Sequence, residues 1–235
     1  MEPRCYRTFN EPVSAMAQTA QPMHASTPAM GGDARALIAQ LGDGADFIPA
    51  DAMAGLASGT GTGLPSLRKF LAEYQSRVLA VVELPAILRA HRHADRNELR
   101  ELLSLDRELS DAALPAEFKL ASQSVGRRRL QKLHPLRDHR LVQRYIAAVD
   151  AGQAHAWHTL VFGVSLSVYS LPLRQGLLHY TQKTLAGFVA SVAPGAGLVN
   201  GEVTCLVEEL CKELPKIVEA VIGGTDLASF HQGSD

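Results

Sequence analysis

From Leu67 onward apolar residues recur at helical spacing. Leu67, Phe70, Leu71, Tyr74, Val78 and Leu79 fall mostly three or four apart and line one face of a helix. Pro85 follows closely and predicts a kink or a restart, because proline has no N–H to donate and crowds the preceding turn. Asp95 and Glu98 have capping-box spacing, with Leu99, Leu102, Leu103 and Leu109 as the stripe behind them. A helix is expected from near Pro115 to about Leu133, and another from about Leu136 to Ala151-Gly152. The uncharged run from Ala151 to Ser170 reads as a buried helix, and a further helix starts at Pro172 and ends near Val192. Val203, Leu206, Val207, Leu210, Leu214, Val218 and Val221 give the cleanest stripe; Pro215 should kink or split it, and Gly223-Gly224 closes it. Val161-Phe162-Gly163-Val164 could pass for a strand but has no turn-bounded partner nearby. The expected fold is all-α, a single domain of about eight helices with short loops.

The first thirty-odd residues are rich in Pro, Ala, Gln and Thr and have no apolar period, so they bury too little to offset the cost of ordering. The expected organisation is a flexible N-terminal segment over 1–32, a helical domain over 33–224 and a flexible C-terminal tail over 225–235. Hydrophobic residues make up 46% and charged residues 20%, which excludes wholesale disorder. A net charge of −1 argues against a chain devoted to nucleic acid or to anionic membrane. Residues 151–173 lack Asp, Glu, Lys and Arg, yet Gln153, His155, His158, several serines and Pro172 make a membrane span the poorer reading. No apolar export-signal core follows Met1, and Cys5, Cys205 and Cys211 are too scattered for a disulfide framework, so the expected location is cytoplasmic.

Candidate chemistry is thin. Gly59-Thr60-Gly61-Thr62-Gly63 lacks both the Lys-Ser/Thr of a nucleotide loop and a preceding strand, and reads as a connector. His91 and His93, and His155 and His158 at i,i+3, are partial ligand pairs that no third or fourth ligand completes. Cys205 and Cys211 point to different sides of one helix, and Glu208 and Glu209 are adjacent and face apart. No Gly-x-Ser-x-Gly context or nucleophile–base set is present, so no catalytic, cofactor or metal residues are expected. Arg127, Arg128, Arg129, Lys132, Arg137, Arg140 and Arg144 cluster with only Asp138 opposing them. That patch supports an alternative reading as a helical nucleic-acid-binding regulator, although interleaved aromatics for base stacking are missing. A metal-dependent hydrolase built on the histidines is a third reading.

Several short stretches, in order, resemble the urease accessory protein UreF family. Leu41-Gly42-Asp43 with Phe47-Ile48-Pro49 is similar to that family's opening signature. Glu117-Phe118-Lys119-Leu120-Ala121-Ser122 followed by Gly126-Arg127 resembles its Glu-x-Arg-x-Ala-Ser-x-x-x-Gly-Arg helix, with Lys119 in the first basic place. His158-Thr159-Leu160-Val161-Phe162-Gly163 resembles its His-x-x-Val-Phe-Gly element, and Asp226-Leu227-Ala228-Ser229-Phe230-His231 resembles its tail. The likeness spans about Arg35 to Gln232; it departs at Ala50 to Leu56 and at Ala193-Pro194-Gly195-Ala196-Gly197, where the family has other loops. The resemblance implies a non-enzymatic, cofactor-free chaperone that forms a homodimer. Such a chaperone would hold a UreD/UreH-type protein and a UreG-type GTPase against apo-urease for GTP-dependent nickel insertion. It also implies partner-binding roles for Glu117, Lys119, Ser122, Gly126, Arg127, His158, Asp226, Leu227, Phe230 and His231. For each matched position a structural role is the competing reading: Gly126 as a close helix contact, His158 as a core group, Lys119 paired with an acid.

Overall fold

The apolar stripes close into helices throughout the residues described in this computed structural model, namely 64–112, 114, 116–192 and 200–224. The chain divides into two units, Met1–Gly31 and Gly32–Asp235, and all the described residues belong to the second. In order they form α1 (Leu64–Tyr74), a π-helical stretch (Gln75–Glu83), α2 (Leu84–Asp95), α3 (Leu99–Asp111) and α4 (Ala116–Lys132). Then come α5 (Arg140–Asp150), α6 (His158–Val168), α7 (Leu173–Val192), α8 (Asn200–Cys211) and α9 (Leu214–Gly223). No strand occurs among the described residues, and Val161 to Val164 are helical, so the all-α reading holds. The lead-in, the Gly59–Gly63 connector, the 193–199 loop and the tail lie outside the described residues.

Several stops fall where local chemistry puts them. α4 begins just after Pro115 and ends before His134-Pro135, α7 begins after Pro172, and the last stripe divides between Cys211 and Leu214 with Pro215 in the first turn of α9. Gly224 closes α9 in the left-handed region, with φ 67°. Pro85 falls in the first turn of α2, where π-helical winding gives way to α-helix, so the expected restart is observed. Glu83 and Leu84 keep right-handed helical angles, so the chain continues through the change without a break. The widened turns just ahead absorb the proline: the Leu84 N–H reaches back five residues to the Leu79 carbonyl.

Two expectations are corrected. Asp95 ends α2 and does not cap α3; Glu98 is the N-cap but makes no side-chain cap bond, its carboxylate lying 2.8 Å from His93 Nδ1. The sharp α2–α3 corner, with Asn97 at φ 57°, places the acids differently from a capping box. Secondly, the uncharged run from Ala151 is not one helix. Gly152, at φ 70°, stops α5 in a Schellman motif: the Gln153 N–H bonds to the Ala148 carbonyl (2.8 Å) and the Gly152 N–H to that of Val149 (3.0 Å). Residues 154–157 then cross to the start of α6 outside any helix. No helix among the described residues is long and apolar enough to cross a membrane.

The shortened uncharged helix is the centre of the fold. Every residue of α6 from His158 to Leu166 is buried, as a helix apolar on all sides must be. It packs mainly against α2 and α4, and two glycines permit both contacts. A Cβ on Gly163 would stand 2.5 Å from the Ile87 carbonyl oxygen of α2, and one on Gly126 of α4 would stand 1.8 Å from the Ala156 carbonyl oxygen. Around this axis Leu102, Leu105, Leu130, Leu141, Val142, Tyr145, Trp157, Leu160, Val161 and Val164 form one apolar cluster. Because both glycines face backbone, which cannot swing aside, Gly163→Ala and Gly126→Ala are each expected to destabilise the fold by about 3 kcal/mol. Urea denaturation checks this, with Gly187→Ala, where nothing lies within 4 Å, as the comparison that should stay near wild type.

Candidate functional site

Two of the segments singled out by sequence, those on α4 and α6, meet where α4 crosses the beginning of α6; the Leu41–Pro49 segment lies outside the described residues. Phe118, Ser122, Val125, Gly126, Arg129 and Leu130 form the inner face of α4, while Leu120, Ser124, Arg127, Arg128 and Gln131 are exposed. Ser122 Oγ accepts the His158 N–H at 3.3 Å, and thereby serves one of the donors that the start of a helix leaves without an intrahelical partner. A Cβ on Gly126 would also stand 2.8 Å from His158 N, so Ser122, Gly126 and His158 are brought together in the interior. Lys119, half-buried, is in no ion pair among the described residues; its Nζ donates to the Ser110 carbonyl at 2.6 Å, where the end of α3 presents negative partial charge. Arg127 is exposed beside this cluster, Glu117 stands in the first turn of α4, and Asp226, Leu227, Phe230 and His231 lie outside the described residues.

A buried carboxylate anchors the crossing segment. Asp106 in α3 is fully buried and accepts from the His155 N–H (2.9 Å), His155 Nδ1 (3.0 Å), the Ala156 N–H (3.2 Å) and the Tyr145 hydroxyl (3.4 Å). These bonds hold Ala156 in the left-handed region at φ 57°, a conformation unfavourable for alanine. His155 is therefore not on a helix face with His158, which corrects the i,i+3 ligand pair. Ser110, His155 and Asp106 stand together but do not form a proton relay, since Ser110 and Asp106 both approach the same imidazole nitrogen, Nδ1. The Ser110 hydroxyl donates to the Asp106 carbonyl at 2.9 Å and accepts from Trp157 Nε1 at 3.2 Å, so its proton is committed to structure.

A second polar group is enclosed between the π-helical stretch, α1 and α7. Glu83 accepts from the Tyr74 hydroxyl and, at 3.1 Å, from the Tyr180 hydroxyl. Burial lifts its carboxyl to about 7, against the downward pull of those two hydrogen bonds. Tyr180 leans on Phe162 (5.0 Å between ring centroids) and on His158 (5.5 Å), and the Arg129 guanidinium sits 5.1 Å from the centre of the Phe162 ring. Burial, then Arg129 and Arg128, hold His158 well below its ordinary pKa, so the imidazole is neutral; His179 is pushed down to about 4 by burial, Lys183 and Arg129. Sequence reading weighed His158 as a core group but missed Glu83, His179 and Tyr180, and counted Arg129 with the solvent-facing cluster. The signal was there: Arg129 follows Ser122 and Val125 by seven and four residues on the buried face, and Glu83 lies midway between Leu79 and Ile87.

His91 and His93 do not converge either: His93 is bonded to Glu98, and burial lowers the pKa of the half-buried His91. No group of three or more His, Cys, Asp or Glu able to hold a metal occurs among the described residues. Cys205 is exposed and Cys211 half-buried. The sequence model of the UreF family matches residues 63–193, more than half of the chain and all of α1 to α7. The chain belongs to the UreF family. No curated protein matches it. UreF proteins are urease accessory proteins, not a family of catalysts. α8, α9 and the tail lie beyond the matched region of this UreF-family chain.

Two outcomes follow from the enclosed acids. Asp106→Ala leaves two backbone N–H groups without their acceptor and is expected to cost about 3 kcal/mol, read by urea denaturation. For Glu83 the raised carboxyl means that the folded chain holds a proton more tightly than the unfolded one. Stability from this group is complete below about 4.5 and falls as pH rises to about 7, by roughly 3 kcal/mol in all. Glu83→Gln removes that loss, so its melting temperature relative to wild type should rise between pH 5 and pH 8; a constant difference would contradict the assignment.

Proposed function

We propose that this chain is an adaptor in urease maturation, bringing a UreD/UreH-type accessory protein and a UreG-type GTPase to apo-urease so that GTP hydrolysis accompanies nickel delivery. The observation that carries this reading is the UreF family match over residues 63–193. Nickel is cargo here, and the chain's own work is to present surfaces. The segments that resemble the family support such a role in two ways. Ser122, Gly126 and His158 fix the angle between α4 and α6, while Arg127 stands outside on the same helix, free to meet a partner. The tail residues Asp226, Leu227, Phe230 and His231 supply a polar stretch with apolar anchors, suited to ordering on a partner. Homodimerisation would double these surfaces, and a cytoplasmic location would place them beside newly made urease.

Complementation tests the proposal. In cells carrying a urease gene cluster without its own UreF-type gene, this chain is expected to restore urease activity and urease-bound nickel. Affinity-tagged chain should retain the GTPase and the UreD/UreH-type protein, and removal of residues 225–235 should reduce that retention at least about tenfold while circular dichroism stays unchanged. Failure to retain either protein with GDP, GTP or no nucleotide would overturn the proposal.

A further inference from the structure

The outer ridge of α4 combines two features that the internal bracing does not use. At 100° per residue, Leu120, Ser124, Arg127 and Gln131 fall along one line of the helix, with Arg128 at its flank, and all five are exposed. Leu120 is 68% exposed; among the described residues the other large hydrophobic so exposed is Val81, at 57%. An exposed leucine alone means little. Its setting is what matters, because the same ridge leads into Arg127 and Arg128, and the turn and α5 beyond add exposed Arg137, Arg140 and Arg144. Only Asp138 opposes them in that stretch, and none of these five arginines takes part in the ion pairs of the described residues. The turn is firmly placed: the Gln143 side-chain amide donates to the Leu136 carbonyl at 3.1 Å, beside a concavity lined by His134, Pro135, Arg137 and Gln143.

We propose that this ridge docks an acidic protein segment carrying an apolar anchor, with Leu120 receiving the anchor and Arg127 and Arg128 clamping the carboxylates. Charge complementarity names the occupant. In a chain of net charge −1 the local excess is positive and made of arginine, whose planar fork matches a carboxylate at two points. Nucleic acid fits less well. The one Phe, Tyr or Trp from Arg127 to Tyr145 is Tyr145 itself, fully buried and bonded to Asp106, so no large aromatic ring there is offered to a base, and a leucine gains nothing from a phosphate. Spacing follows from the helix. Seven residues separate Leu120 from Arg127, a rise of about 10 Å, which an extended segment spans in about three residues. The inference deepens the adaptor reading by giving one of its surfaces a partner chemistry, and its test needs neither urease nor nickel.

Fluorescence anisotropy of the full chain with labelled Leu-Ser-Ser-Glu-Glu-Ser-Glu-Glu provides that test. Binding should weaken with salt. Arg127→Glu combined with Arg128→Glu should reduce it at least about tenfold, and Leu120→Ala about threefold to fivefold. An Ala-for-Leu peptide should be indifferent to Leu120→Ala, so the two changes are coupled. Since all three side chains are exposed, circular dichroism should be unaltered. Affinity unchanged by the charge reversals, or additive leucine effects, would overturn the proposal. So would tighter, equally ridge-dependent binding of duplex DNA, or a charge-reversal effect seen only as a change in self-association.

Discussion

The close approach of backbone to backbone on two sides of α6 is the constraint on which the rest of the structure depends. A helix without a charged residue must be enclosed, and enclosure at this density requires neighbours that come nearer than ordinary side chains allow. Gly163 gives α2 that access and Gly126 gives it to α4. Once these contacts are fixed, α4 cannot rotate without driving its own backbone into Ala156, so its inner and outer faces are determined together. The orientation of the arginine-bearing face is therefore set from the interior.

The buried polar groups act on the same frame and share a logic. Asp106 ties the segment ahead of α6 to α3, Ser122 ties the start of α6 to α4, and Glu83 ties the π-helical stretch to α7. Each joins elements distant in sequence, and each loses most of its value if its partner shifts. Apolar packing alone tolerates sliding between helices; hydrogen bonds of this kind select one register. For the adaptor role proposed above, a single register matters more than maximal stability.

Sequence reading reached the fold class and the helix ends that depend on local chemistry, since Pro115, Pro172, Pro215 and Gly224 act within a few residues of themselves. It failed at Ala151 to Trp157, where the chain is held by Asp106 some fifty residues earlier, and at Asp95 and Glu98, where a corner with Asn97 in the left-handed region displaced the expected cap. The motif-like segments on α4 and α6 were legible as a set, and their meeting was not, because contact between Gly126 and Ala156 is a tertiary fact. Arg129 was misplaced for the opposite reason: a count of charges overrode a helical period that already put position 129 inside.

The π-helical stretch has a geometric role that neither Pro85 nor local preference accounts for. Tyr74 and Glu83 are nine residues apart, which in ordinary winding is two and a half turns and would send them to opposite sides. Wider coiling completes about two turns over the same distance and returns them to one side, where they bond. The inward residues Gln75, Leu79, Ala80 and Glu83 keep that slower rhythm. Loss of one amino acid from this stretch would tighten the coil into a better helix and at the same time part the tyrosine from its acid, so an irregularity in pitch is what brings the phase of α1 into agreement with that of α2.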